Sequence, residues 1–201
     1  MKLDPFYLII DDARWLARLL PIGLRLVQLR IKDRPETQVR TQIRRAKELC
    51  AKAGATLVIN DYWQIAIEEG CDFIHLGQED LAEADVDAIR KAKCRLGIST
   101  HDPNELDIAL AVKPDYVALG PVFPTTLKQL DWAPQGVARV TEWKKRVGPV
   151  PLVAIGGLNI ERAQSVLDAG ADSAAVSTDV LGNPDPEARA REWVALSRAR
   201  A

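Results

Sequence analysis

The sequence predicts an α/β fold, a single-domain (β/α)8 barrel, on three observations. Short runs rich in β-branched and aromatic residues recur eight times along the 201 residues, each followed by a stretch with helical spacing. The runs are apolar nearly throughout instead of alternating, which is the pattern of parallel strands covered by helices. No linker, repeat or low-complexity tract divides the chain. Eight such units in about 200 residues match a compact closed barrel, so residues 1–201 are read as one domain and a doubly wound open sheet is disfavoured.

In chain order the strand candidates are FYLII at 6–10, LVQLRI at 26–31, TLVIN at 56–60 and FIHL at 73–76. RLGIS at 95–99, YVALG at 116–120, PLVAIG at 151–156 and SAAVS at 173–177 follow. Between the second and third runs, TQVRTQIRRAKELCAKAG sets Val39, Ile43, Ala46, Leu49 and Cys50 on one helical face, and Gly54 marks the stop. The final PEARAREWVALSRARA reads as the closing helix.

Composition narrows the partners. With 47% hydrophobic and 27% charged residues and a net charge of −1, the chain can bury a sizeable core and carries no charge excess for nucleic acid or an anionic membrane. Cys50, Cys71 and Cys94 lie far apart without Cys-x-x-Cys spacing, which suits reduced thiols in the cytoplasm. The opening MKLDPFYLIIDD has too short an apolar run for a signal peptide, and no run approaches the ~18 apolar residues of a membrane span. Small-molecule substrates are the expected partners; the oligomeric state is open, a homo-oligomer included.

In a barrel of this kind the chemistry sits at the carboxyl ends of the strands. There the first run delivers Asp11 and Asp12, the second Gln28, Arg30 and Lys32, the third Asn60 and Asp61, and the fourth GQED with Asp80. The fifth and sixth give Ser99, Thr100 and His101, then Thr125, Thr126 and Lys128 in FPTTLKQ; the last two end in Gly156-Gly157 and Ser177-Thr178. A buried strand has no cheap use for Arg30 and Lys32, because an unpaired buried charge costs several kcal/mol or more. With Lys128 they point to an anion such as a diphosphate.

The glycine pair before Asn159, and the Ser-Thr pair, stand where barrels commonly hold a phosphate, although a lone GG serves equally to make a tight turn. Carboxylates among these cations are out of place, since one lying ~4 Å from a phosphate would cost about 4 kcal/mol at an effective dielectric of 20. A divalent ion removes the conflict: Mg²⁺ takes one or two carboxylates together with diphosphate oxygens, and Asp61 and Asp80 are its candidate ligands. Taken separately, Asp61 reads as a helix cap and Asp80 as a solvated acidic turn beside Glu79.

Several long motifs then agree with one family. VQLRIKD, VINDYWQIAIEEGCDFIHLGQEDL, RLGISTHD, YVALGPVFPTTLKQ and VAIGGL resemble the signatures of the thiamine phosphate synthase family in order and approximate spacing. The resemblance implies a (β/α)8 barrel that joins an aminopyrimidine methyl diphosphate to a thiazole ethyl phosphate, or its carboxylated form, releasing diphosphate. It assigns Gln28, Leu29, Arg30, Ile31 and Lys32 to the pyrimidine diphosphate, with Asn60, Ser99 and Lys128 beside it, and gives Asp61 and Asp80 to Mg²⁺. Thr125, Thr126, Gly157, Ser177 and Thr178 fall where that family holds the thiazole phosphate. In the implied mechanism diphosphate leaves first, the thiazole nitrogen attacks the resulting pyrimidinylmethyl cation, and Arg30, Lys32, Ser99 and Lys128 serve the departing group.

The implied reaction gives His75 and His101 no necessary proton to carry, so both are left out of the catalytic set. Two positions depart from the family pattern. Leu127 stands where a hydroxyl is frequent, and Asp179 adds a negative charge near the expected thiazole phosphate unless it only caps the last helix. The related thiazole tautomerase uses a histidine after the sixth strand, where this chain has Pro121, which cannot do acid–base work. A non-catalytic phosphate-ligand sensor on the same barrel is the third reading.

Overall fold

The computed structural model describes residues 2–125 and 132–200. Thr126, Leu127 and Lys128 therefore lie outside the described residues. Eight parallel strands close in chain order: β1 (Phe6–Ile10), β2 (Leu26–Leu29), β3 (Thr56–Asn60), β4 (Phe73–Leu76), β5 (Arg95–Thr100), β6 (Tyr116–Leu119), β7 (Leu152–Ile155) and β8 (Ser173–Val176). β8 returns to β1 through Phe6↔Ala174, Tyr7↔Ala175 and Leu8↔Val176, and with no edge left unpaired the sheet has no exposed template for aggregation.

The apolar runs look continuous because both faces of every strand are buried, but they feed two different cores. One set (Leu8, Val27, Ile59, Ile74, Ile98, Val117 and Ala154 among them) points outward and packs under the helices. The other (Tyr7, Ile9, Leu26, Val58, Phe73, Tyr116, Ala118, Val153 and Ala175) fills the barrel. The predicted long helix is α2 (Glu36–Ala53), preceded by α1 (Arg14–Leu19) and stopped at Gly54. Val39, Ile43, Ala46 and Cys50 are its buried face, while Leu49 is only partly buried.

α3 (Trp63–Glu68), α4 (Gln78–Glu83), α5 (Val86–Lys91) and α6 (Pro103–Ala111) come next, followed by α7 (Gly136–Val147), α8 (Ile160–Asp168), the single turn α9 (Thr178–Leu181) and the closing α10 (Pro186–Ala199). Among the described residues no helix is long and apolar enough to cross a membrane. The three cysteines are free and buried.

The second strand is shorter than its sequence run. It ends at Leu29, so Arg30 and Lys32 stand beyond the strand and not inside it, and neither is fully buried. The backbone N–H of Arg30 still donates to Ile10 O at 2.8 Å, which keeps the emerging chain against β1. The fifth strand is longer than its run by one residue, Thr100, whose hydroxyl donates to Ala118 O at 2.9 Å and accepts from Trp143 Nε1 at 2.9 Å.

Candidate active site

A cavity of about 90 Å³ opens at the carboxyl end of the barrel, with Gln28, Arg30, Asn60, His75 and Ser99 supplying its polar wall. Ile9, Ala118, Val153, Ile155 and Ala175 make the opposite, apolar wall. Alternation places these residues: Gln28, Asn60 and Ser99 are the last or next-to-last inward positions of strands whose neighbours in register are Ile9, His75 and Ala118. Leu29 and Ile31 point the other way, into the core under the helices, so only their main chain is available to a ligand.

Lys32 forms an ion pair with Asp61, the lysine half exposed and the carboxylate largely covered. Asp61 sits in the left-handed region at φ 64, where Asp and Asn are tolerated better than most residues. It does not cap α3, whose N-cap is Tyr62 without a side-chain hydrogen bond. The backbone N–H of Asp61 donates to His75 O at 2.9 Å and that of Trp63 to Asp61 O at 2.7 Å, which hold the turn in place.

Asp80, in the first turn of α4, accepts from the Gly77 backbone and contacts the Asp61 carboxylate; burial first, and then the Asp61 charge, push its pKa up. Facing carboxylates with a lysine alongside are a donor set suited to one divalent ion that completes its shell with substrate oxygens and water. Among the described residues there is no group of three or more His, Cys, Asp or Glu that could hold a metal ion by itself.

Family membership is decided by the match of residues 6–180 to the family model described as thiamine monophosphate synthase. The chain belongs to the thiamine monophosphate synthase family. A thiamine-phosphate synthase of Rhizobium etli is 67% identical over 197 residues, 98% of this chain and 97% of that protein. One from Cronobacter sakazakii is 51% identical over 179 residues, 89% and 85% of the two chains. The barrel is similar to the thiamine phosphate pyrophosphorylase structure from Pyrococcus furiosus, with a TM-score of 0.87, 25% identity and coverage of 98% and 96%. As a thiamine monophosphate synthase the protein is an enzyme, a transferase of thiamine biosynthesis.

The far side of the rim is built around the glycine pair. Gly156 and Gly157 are both left-handed, at φ 99 and 63. A Cβ on Gly157 would lie 2.3 Å from Pro124 O, and one on Gly156 2.6 Å from Pro121 Cα. The segment after β6 lies across them, through Val122 N–H to Ile155 O at 2.8 Å and Phe123 N–H to Gly156 O at 3.1 Å. That packing explains glycine at both positions by itself, and Gly157 O is taken by Arg162 Nη1 at 2.6 Å. Asn159 caps α8 by accepting from Arg162 N–H at 2.9 Å, as its place before a helix implied.

Thr125 is half-buried, Ser177 half-buried and Thr178 exposed on this side. The Asp179 charge is already neutralised: Arg189 donates to it twice, at 2.8 and 2.9 Å, and Trp193 Nε1 adds a third bond at 2.8 Å.

Several sequence candidates lie elsewhere. Asp11 accepts from Trp15 Nε1 at 3.1 Å, and Asp12 accepts from Arg14 N–H at 2.7 Å, so both serve the first loop. His101 pairs with Glu105 at 2.7 Å and stacks on Trp132 outside the cavity. His75, by contrast, does line the cavity: its Nε2 is 2.8 Å from Ser99 Oγ and its Nδ1 is 2.7 Å from Tyr116 Oη. Sequence reasoning missed Tyr7 and Tyr116 entirely. Their signal was their parity: each occupies an inward position of an otherwise apolar strand, where a hydroxyl needs a partner.

Proposed function

We propose that the cavity binds an aminopyrimidine methyl diphosphate and that a thiazole ethyl phosphate, or its carboxylated form, approaches from the β6–β8 side of the rim. The observation that carries this reading is the convergence of Gln28, Arg30, Asn60 and Ser99 on one small cavity, with the Lys32–Asp61–Asp80 cluster on the segments that follow β2, β3 and β4. Arg30 makes no ion pair among the described residues, which leaves its planar fork for a diphosphate.

In this reading the carbon–oxygen bond to diphosphate breaks first, the electron pair leaving with the diphosphate, and the thiazole nitrogen then forms the new carbon–nitrogen bond. Asp61 and Asp80 would hold Mg²⁺, which supplies charge neutralisation of the leaving diphosphate. Arg30 and Lys32 stabilise the same developing charge by preorganised electrostatics, and Ser99 donates a hydrogen bond to it. The apolar wall of Ile9, Ala118 and Ile155 keeps water from the cation. Lys128 and Thr126, outside the described residues, are assigned to the pyrimidine diphosphate and to the thiazole phosphate respectively.

Buried free thiols support a cytoplasmic setting. The tautomerase reading is disfavoured by Pro121 at the position where that enzyme needs its histidine. A turnover assay with both phosphorylated substrates and Mg²⁺ should yield thiamine phosphate and free diphosphate in equal amounts. Tight binding of either ligand by folded protein without turnover would favour the sensor instead.

A further inference from the structure

Along the lining of the cavity, a chain of hydrogen bonds crosses the barrel from β2 to β5. Gln28 Nε2 donates to Tyr7 Oη at 3.0 Å, the two tyrosine hydroxyls are 2.9 Å apart, Tyr116 Oη is 2.7 Å from His75 Nδ1, and His75 Nε2 is 2.8 Å from Ser99 Oγ. Both tyrosines are fully buried, so each hydroxyl hydrogen must find an acceptor inside the protein.

The count of donors and acceptors selects one direction. Tyr7 already accepts from Gln28, so its own hydrogen goes to Tyr116 Oη, the Tyr116 hydrogen goes to His75 Nδ1, and His75 carries its proton on Nε2 and donates to Ser99 Oγ. The hydrogen of Ser99 is then left to point into the cavity. In the reverse direction the Tyr7 hydrogen has no acceptor in the chain, and Ser99 would spend its hydrogen on His75 and show the diphosphate only lone pairs.

The rest of the barrel is shaped around this arrangement. The Tyr116 ring lies where a side chain on Gly97 would be, with Tyr116 Cζ 2.1 Å from the position of a Cβ. It stacks on the His75 ring at 5.5 Å and meets the Phe73 ring edge-on at 5.6 Å. The His75 side chain is buried, and a ring that accepts from Tyr116 at Nδ1 carries its one proton on Nε2.

We propose that Tyr7, Tyr116 and His75 are positioning residues that fix the direction of this chain and so make Ser99 a hydrogen-bond donor toward the leaving diphosphate. The proposal rests on the reading of the cavity as a diphosphate site; the tautomer of His75 does not, and can be measured without substrate.

The protein has two histidines, which makes the test tractable. Long-range nitrogen–proton NMR of the substrate-free enzyme should show His75 as one neutral tautomer with the proton on Nε2, assigned by loss of its signals in His75→Gln. Tyr116→Phe removes the hydroxyl beside Nδ1 and should admit the Nδ1–H tautomer, while kcat falls about tenfold and both KM values stay within about twofold, the size expected for one hydrogen bond to a charged group. Ser99→Ala added to Tyr116→Phe should then cost less than Ser99→Ala alone.

An Nδ1–H tautomer in the wild type, or a Tyr116→Phe enzyme with unchanged kcat, would overturn the assignment. Should Tyr116→Phe fail to fold, the wild-type tautomer still decides the direction, and Tyr7→Phe, which breaks the chain one link earlier, carries the kinetic arm. An inactive wild type with the expected tautomer would count against the substrate reading and leave the direction of the chain standing.

Discussion

The two halves of the barrel rim are furnished by different means. From β2 to β5 the site is made of side chains: an arginine with no ion pair among the described residues, a lysine clasped by a carboxylate, a second carboxylate and a serine, carried by strand ends, a tight turn and the first turn of α4. From β6 to β8 the described part is largely backbone, with two left-handed glycines under a segment that lies across them, and the Asp179 charge there is paired with Arg189 and hydrogen-bonded by Trp193. The difference suits the proposed chemistry. Charge develops at the diphosphate end, where fixed countercharges stabilise a transition state, whereas the thiazole end has only to hold an incoming partner in line.

The sharpest way to break this comparison is to remove charge from the first half. Asp61→Asn keeps the left-handed turn, which Asn tolerates, but removes the carboxylate; turnover should fall by about 100-fold or more at standard Mg²⁺. Stability should change by less than about 1 kcal/mol, because the Lys32 partner is half exposed and such pairs contribute little. Steady-state kinetics over a Mg²⁺ series, run beside a thermal melt, reads both. Full activity in chelator would remove Asp61 from the metal site.

Next in size is Arg30→Ala, expected to lower kcat/KM for the pyrimidine diphosphate about 10- to 100-fold, the range for losing hydrogen bonds to a charged group. The KM of the thiazole phosphate should not move. If the thiazole KM rises instead, the two ends of the site are assigned the wrong way round.

What the sequence disclosed follows the same division. The barrel was legible because eight apolar runs with intervening helical patterns admit few other architectures, and the charged residues of the first half were legible because Arg30, Lys32, Asp61 and Asp80 are anomalous beside buried strands. The glycines were legible as glycines but not in purpose: Gly157 answers to a left-handed φ and the approach of Pro124 O, a contact between segments far apart in sequence. The hydrogen-bond chain was not legible at all. Tyr7 and Tyr116 read as ordinary strand aromatics, and only closure of the barrel brings hydroxyls from β1 and β6 to 2.9 Å. The pairing of Asp179 was not legible for a related reason, since its partners lie 10 and 14 residues away on α10.

Gly157→Ala probes the second half with a smaller effect. A methyl group there meets Pro124 O and Phe123 Cβ in a backbone region costly for alanine, so stability should drop by about 1–3 kcal/mol. The segment over β7 would shift, raising the thiazole phosphate KM severalfold while the pyrimidine diphosphate KM holds. Equal losses for both substrates would mean that the rim is one coupled unit and the division is false.

The smallest kinetic effect is expected at Asp179, and it sharpens the comparison most directly because it concerns a negative charge next to the Ser177–Thr178 pair on the proposed thiazole side. Arg189 and Asp179 are mostly covered, with side chains 17% and 15% exposed, so Asp179→Ala takes two hydrogen bonds from a largely buried guanidinium that keeps only its bond to the half-exposed Glu192, and leaves the Trp193 N–H without its acceptor. Breaking such a pair by deleting one partner should cost about 3 kcal/mol. In a chain of this size that is a fall in Tm of about 6–12 °C. The kinetics should stay within about twofold of wild type below the melting range, because a carboxylate already neutralised by Arg189 has little field left to exert on a bound phosphate. A melt and a thiazole phosphate titration separate the possibilities: a lowered Tm with unchanged KM makes Asp179 part of the scaffold joining α9 to α10, whereas a KM that falls sharply on removing the carboxylate would show that its charge does reach the thiazole site.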